Sequence, residues 1–570
     1  MNVLDQVINK AWVAYTLTNA GIIRPIRPDK LARIAWTLQQ WGPTPAAGYT
    51  ASAIRFPGEC AIIDELGTLT FEDVHKRSNA LAHAFRDQGI EPGDGVAILC
   101  RNHRGFIDAT VACSKLGAHA LYLNTQFAAP QVTDVVNREE PVAIVYDEEF
   151  AEMVEEAGKG RKRIIAWFDG PEKPDCPIIE ELIAEGDDSD LSPPADKGRV
   201  VILTSGTTGT PKGASRSQPE SLDPAASLFS KIPLRAREPW MVAAPMFHSW
   251  GFAHFTLGMG LAATLVLRRK FDPELTLSDA AQHECTVLAV VPVMLQRILE
   301  LGDEVIGKYD LSSLRCIDAS GSALPGELAT RVMDAFGDKL YNLYGSTEVA
   351  WATIATPEDL RAAPGTAGRP PRGTIVKLYD EEGNEVPQGK TGRIFVGNEM
   401  LFEGYTGGGN KDVIDGLMST GDVGHFDEGG RLFVDGRDDE MIVSGGENVF
   451  PREVEDLLAD HPKIDEAAVV GVDDEEWGQR LAAFVVAKDG LSEDEVKKYV
   501  KENLAKYKVP RDVEFLDELP RNATGKVLKK DLVKGDEEES DDDSGEDEKP
   551  KPNSGAKSKS KSTPKAKSKS

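Results

Sequence analysis

Between about residues 55 and 435, short apolar runs rich in β-branched residues alternate with helix-length stretches. The run 96–99 follows the turn Pro92-Gly93-Asp94-Gly95, and 142–146, 200–203, 264–267 and 287–291 have the same character. Strands that are apolar on both faces must be covered on both faces. The pattern therefore predicts an α/β fold of parallel and mixed sheets flanked by helices. A chain of 570 residues is too long for one core and predicts several domain-sized units. We place the large α/β domain at 46–437.

From about residue 440 the texture changes. Pro451 stands where the first helical residue belongs, 467–470 and 481–486 read as strands, and Ser492 with Glu495 forms a capping box opening a further helix. These signals predict a small α+β domain over 438–533. Residues 1–45 form an extension closed by the breaker run Gly42-Pro43-Thr44-Pro45. Its uncharged stretch 11–23 is too short and too polar to span a bilayer. A helical extension packed on the large domain is the favoured reading. Its alternative is an amphipathic segment making peripheral contact with a membrane, given Lys30 and Arg33 beside Trp12, Trp36 and Trp41. The tail 534–570 is acidic at 536–548 and alternates lysine with serine at 557–570. It holds too little apolar surface to pack, and disorder is expected.

Composition narrows the function classes. A net charge of -29 argues against a nucleic-acid partner, because phosphate backbones repel such a surface. Six cysteines without a CxxC pair make neither a disulfide framework nor a zinc site. Together with the lack of a signal-peptide pattern, they predict a cytoplasmic protein.

The chemistry concentrates first in Thr204-Ser-Gly-Thr-Thr-Gly-Thr-Pro-Lys-Gly213, directly after the strand 200–203. Glycines let backbone approach a ligand, successive N–H groups make an anion nest, and hydroxyls with Lys212 add donors, so a polyphosphate is the natural guest. The spacing is not that of a Walker A loop. The run resembles the phosphate loop of the adenylate-forming superfamily, which includes acyl-CoA synthetases. Five further segments resemble that family in the same order: Pro245-Met-Phe-His-Ser-Trp-Gly-Phe252, Asn342-Leu-Tyr-Gly-Ser-Thr-Glu348, Ser419-Thr-Gly-Asp422, Gly436-Arg-Asp-Asp-Glu-Met-Ile-Val-Ser-Gly-Gly-Glu-Asn448 and Pro520-Arg-Asn-Ala-Thr-Gly-Lys526. The likeness spans about 55–531 and looks most like actinobacterial fatty-acid:CoA ligases.

The resemblance implies a large adenylate-forming domain with a small mobile lid, and a role for each matching residue. Thr204, Ser205, Gly206, Thr207, Thr208, Gly209 and Lys212 would hold the phosphates of ATP. Ser320, Gly321 and Tyr344 would hold adenine, and Asp422 with Arg437 the ribose. Glu348 would bind Mg2+ with Thr204. Lys526, Thr347, Glu348 and His248 would serve the reaction, with His248 and Trp250 beside the acyl pocket. Asp439 would be the hinge of the lid, and Gly445, Gly446 and Glu447 would line the path of coenzyme A.

The implied reaction joins a carboxylic or fatty acid to ATP as an acyl-adenylate and then to CoA, with ATP, Mg2+ and CoA as cofactors. Anion must meet anion at the α-phosphate, which is why cations and donors are needed there. The alternative reading is a fatty acyl-AMP ligase loading a carrier protein. Amino-acid activation is disfavoured, because no aspartate for an amine stands in 245–252. An oligomer is compatible with the sequence, and a non-catalytic interaction protein fits the intact motifs poorly.

Overall fold

The computed structural model describes residues 3–171, 173–204, 212–215, 221–406, 408–444, 447–474, 478–488, 490–522 and 525–533. Two large sheets carry the body. The first has eight strands, ordered Thr353–Ala355, Leu340–Tyr344, Cys316–Ala319, Val287–Val290, Pro239–Val242, Thr264–Leu267, Cys60–Asp64 and Gly67–Thr70. Its interior is parallel, and the two edge strands run antiparallel. The second has seven strands, ordered Gly404–Tyr405, Lys212–Ser215, Val200–Thr204, His119–Tyr122, Gly95–Leu99, Ala143–Asp147 and Lys162–Trp167. It is parallel from Val200–Thr204 onward.

Strands buried on both faces read as continuous apolar runs, and Ala143–Asp147 is buried at every position. One apolar core joins the sheets. Val96 and Ile98 from one and Ile62 and Leu288 from the other meet Phe106 and Phe255 from the helices between them. The helices start and stop on local signals. Thr70 and Asp73 form a capping box, and Gly117 ends Arg104–Leu116 with φ +84°.

A third, antiparallel sheet (Ile375–Tyr379, Gly392–Gly397, Val413–Ile414, Leu417–Phe426 and Leu432–Arg437) leads to the C-terminal unit. There the strands Ile464–Asp474 and Gly478–Ala487 form a long hairpin, flanked by the helices Pro451–Ala459 and Glu493–Asn503. The hairpin outruns the apolar segments 467–470 and 481–486, because backbone pairing continues through polar positions such as Asp473 and Gln479. The architecture is a large domain of mixed sheets and helices with a small C-terminal α+β domain.

The extension forms two helices, Val3–Asn19 and Pro28–Trp41, and Pro45 then opens the helix Pro45–Arg55 with Thr44 as its cap. The extension packs on the body. Asn9 donates to Asp223 at 2.6 Å, and the Ala236 N–H donates to the Ala20 carbonyl at 2.8 Å. Among the described residues, no helix is long and apolar enough to cross a membrane. The tail 534–570 lies outside the described residues.

Candidate active site

Strand ends deliver several of the predicted residues to one cavity. Tyr344 closes Leu340–Tyr344, and Thr347 and Glu348 follow in the next loop. Asp422 lies within Leu417–Phe426, in register with Arg437 on the neighbouring strand. Its two carboxylate oxygens are used separately: Oδ1 accepts from Arg437 Nη1 at 3.2 Å and Oδ2 from the Tyr344 hydroxyl at 2.6 Å. Burial pushes the Asp422 carboxyl above the usual carboxylate range, and the positive charges of Arg437 and Lys526 oppose that shift. Arg437 therefore pairs with Asp422, while its neighbour Asp438 pairs with Arg393. Ser320 and Gly321 follow the strand Cys316–Ala319, and Gly321 turns the chain with φ +94°.

Glu348 is buried, and its Oε1 accepts the Tyr405 hydroxyl at 2.7 Å. Thr347 and Ser249 hold their hydroxyls 3.2 Å apart, which ties this loop to the start of the helix Ser249–Leu261. His248 is the residue before that helix. Its ring lies 4.6 Å from Phe247, its Nε2 is buried without a hydrogen-bond partner, and burial pushes its pKa down to about 4. It is therefore a neutral imidazole with polar capacity left for a ligand. Trp250 is fixed more firmly. Its indole N–H donates to the Val290 carbonyl at 3.0 Å, and its ring stands edge-on to His254 at 4.4 Å.

Lys526 arrives from the C-terminal domain. Its N–H donates to Asn522 Oδ1 at 2.9 Å, and its carbonyl accepts from the Asn522 N–H at the same length. Glu466 accepts from both Arg521 of its own domain and Gln296 of the large domain, a bridge between the two. Lys526, Asp422, Glu348, Thr347, Tyr344 and His248 all line one cavity of about 2190 Å³. That exceeds the roughly 300–1,000 Å³ of a single small-ligand pocket and has room for two substrates.

Several predicted residues are placed only in part. Ser205, Gly206, Thr207, Thr208 and Gly209 lie outside the described residues, as do Gly445 and Gly446. The flanks of the phosphate loop are placed: Thr204 and Lys212 pair across antiparallel strands, although their side chains fall outside the description. Asp439 lies in the single turn Asp438–Glu440 and Glu447 on Glu447–Val449, again without described side chains.

Residues 49–406 match the family model described as AMP-binding enzyme, and 453–526 match the AMP-binding enzyme C-terminal domain. The chain belongs to the AMP-binding enzyme family. This AMP-binding enzyme is 32% identical over 481 residues to 2-succinylbenzoate--CoA ligase of Bacillus licheniformis, covering 84% of the chain and 97% of the relative. It is 33% identical over 489 residues to feruloyl-CoA synthase of an Amycolatopsis species, covering 85% and 95%. The solved o-succinylbenzoate CoA synthetase from Bacillus subtilis, in complex with its acyl-adenylate intermediate, superposes with a TM-score of 0.75 at 28% identity, covering 85% of this chain and 97% of that one.

The AMP-binding enzyme is thus an ATP-dependent carboxylic acid:CoA ligase that works through an acyl-adenylate, with ATP and CoA as substrates. The fatty acid and the actinobacterial likeness read from the sequence are finer than these relatives show; their names carry succinylbenzoate and ferulate. Glu348 fits a Mg2+ ion by its chemistry. It is a buried carboxylate with no cationic side chain paired to it among the described residues, and hard cations take such oxygens.

Two residues of this AMP-binding enzyme were missed in the sequence. Asn342 has a buried Oδ1 with no partner on the cavity wall, and it is the first residue of the motif that carried Tyr344 and Glu348. Tyr405 holds Glu348 from the short strand Gly404–Tyr405, a position with no motif signal.

Proposed function

We propose that this ligase activates a fatty acid, with the predicted residues in the roles their positions allow. The observation carrying the proposal is the meeting of Lys526 from the small domain with Asp422, Glu348, Thr347 and His248 of the large domain in one cavity. In the first step a carboxylate oxygen attacks the α-phosphorus of ATP, and pyrophosphate leaves. Lys526 supplies the positive charge facing both anions, and Thr347 with the 204–212 loop holds phosphate oxygens. Asp422, fixed by Arg437 and Tyr344, accepts from the ribose hydroxyls, and Ser320 and Gly321 border the base. Mg2+, when held by Glu348 and Thr204, neutralises phosphate charge.

In the second step the thiol of CoA attacks the acyl carbonyl and AMP leaves. Lys526 must first withdraw, so the small domain turns about Asp439, and Gly445, Gly446 and Glu447 border the incoming thiol arm. Neutral His248 stands beside the acyl carbonyl and orients it. The fatty-acid reading is supported by the apolar continuation of the cavity along the helix Ser249–Leu261, past Phe252 and Leu257.

Mass spectrometry of reactions with Mg-ATP and acids from acetate to oleate plus benzoates, each with and without CoA, tests this reading. Acyl-AMP without CoA and acyl-CoA with it, most from a long aliphatic acid, is the expected result. Acyl-AMP that persists in the presence of CoA points instead to a carrier-protein acceptor. Preference for benzoates overturns the fatty acid while leaving the ligase intact.

A further inference from the structure

The cavity does not end at the acyl pocket. It follows the helix Ser249–Leu261 over its whole length, and that helix serves as a ruler. At one end Ser249 meets Thr347. At the other, the Met259 carbonyl accepts from Ser52 at 2.9 Å, and one turn further along that second helix Arg55 donates to the Ile22 carbonyl at 3.2 Å. From Ser249 to Gly260 the helix rises roughly 16 Å. The far end of the cavity therefore lies against the N-terminal extension, in a segment that precedes the matched family range beginning at residue 49.

The wall of this distal stretch is apolar in part, and Arg24, Arg55 and Arg237 line it at the extension end. Ala253, Leu257 and Gly260 recur at helical spacing on one side. A β-carbon at Gly260 would meet nothing within 4 Å. The extension helix Pro28–Trp41 lines the same cavity with Leu31, Ile34 and Leu38, also on one helical face. Leu31 is 55% and Leu38 48% exposed, although the same helix buries Thr37 and Trp41 against the body. An apolar stripe left uncovered beside a partly apolar channel, and continuous with the adenylate site, is matched by an unbranched hydrocarbon chain.

We propose that the Leu31–Ile34–Leu38 face of the extension is the far wall of the acyl channel and sets the length of acid this enzyme accepts. The inference rests on the fatty-acid reading above. A hydrocarbon tail lying along the helix with its carboxylate at Thr347 and Lys526 brings its distal methylenes to this face. Each methylene removed from water there favours longer acids severalfold.

The test measures kcat/KM for hexanoate, dodecanoate, hexadecanoate and benzoate on the full chain, its Leu31→Asp/Leu38→Asp variant and its Gly260→Trp variant. Their thermal midpoints are recorded alongside. The wild type is expected to prefer hexadecanoate. Charges on the extension face should lower the hexadecanoate-to-hexanoate ratio at least about tenfold. The indole at 260 should lower the same ratio from the helix Ser249–Leu261, so a poorly folded extension variant leaves the outcome decided. An unchanged ratio in folded variants overturns the proposal. So does an unchanged ratio with loss of binding to anionic phosphatidylglycerol vesicles, which would make the face a membrane contact. Benzoate turnover without turnover of aliphatic acids overturns this inference and the fatty-acid reading but leaves the ligase standing. Absence of acyl-AMP from every acid overturns the ligase chemistry itself.

Discussion

Gly525 of the small domain rests on Val293 of the large one: a β-carbon added at 525 would stand 3.1 Å from Val293 Cβ and closer still to its Cγ1. The backbone there has φ +76°, a conformation that suits glycine and strains other residues. Lys526 is the next residue, so in the proposed mechanism this contact sets how near the lysine comes to the nucleotide. In Gly525→Ala, strain and overlap together should slow acyl-AMP formation roughly tenfold or more. Thioester formation from added acyl-AMP and CoA should be largely spared, because in the proposed mechanism the small domain has withdrawn by that step. Rapid-quench measurement of the two half-reactions separates the effects; equal losses in both would show that the contact does not belong to the first step alone.

Tyr405 is the hydroxyl donor to Glu348. Removing a hydrogen bond to a charged group costs about 1.5–3 kcal/mol. Tyr405→Phe should therefore raise the Mg2+ concentration for half-maximal adenylation about tenfold, with the acid KM little changed. Titrating Mg2+ at saturating ATP and acid checks it.

Tyr344 and Arg437 hold the two oxygens of Asp422 separately. Tyr344→Phe leaves a buried carboxylate oxygen short of a donor. The KM for ATP should rise about tenfold while the acid KM stays close to wild type. Steady-state kinetics with each substrate varied in turn reads the difference.

His248 gives a pH signature. Its ordinary pKa of 6.5 falls to about 4 in the folded protein because burial disfavours the imidazolium. Between those values the unfolded chain binds a proton that the folded chain does not. Stability therefore falls as pH drops from 6.5 to 4, by about 1.4 kcal/mol per pH unit from this group, and no further below 4. Denaturant midpoints of wild type and His248→Phe, compared from pH 4 to 7, should diverge in slope across that window only.

The legible parts of this protein were those written in contiguous residues. The body strands, the Ser492 capping box and the motif residues Tyr344, Glu348, Asp422 and Arg437 all stand in short runs whose chemistry needs neighbours in sequence. The third sheet passed unnoticed, because Ile375–Tyr379 and Leu432–Arg437 are only partly buried and lack the continuous apolar run of the body strands. Tyr405 was invisible for a different reason: its partner Glu348 is fifty-seven positions away and only the fold joins them. The extension read as a helical annex, and nothing in its sequence said that Leu31 and Leu38 border the cavity that holds Lys526.

The most direct test of the account is the fate of the two half-reactions in Lys526→Ala. Acyl-AMP formation from ATP and the preferred acid should fall about 10²–10³-fold, the loss expected when one preorganised charge is removed from a developing anion. Conversion of supplied acyl-AMP and CoA to acyl-CoA should persist near the wild-type rate. Adenylate formation left untouched by the substitution would contradict the placement of Lys526 at the reacting phosphate, and with it the central claim.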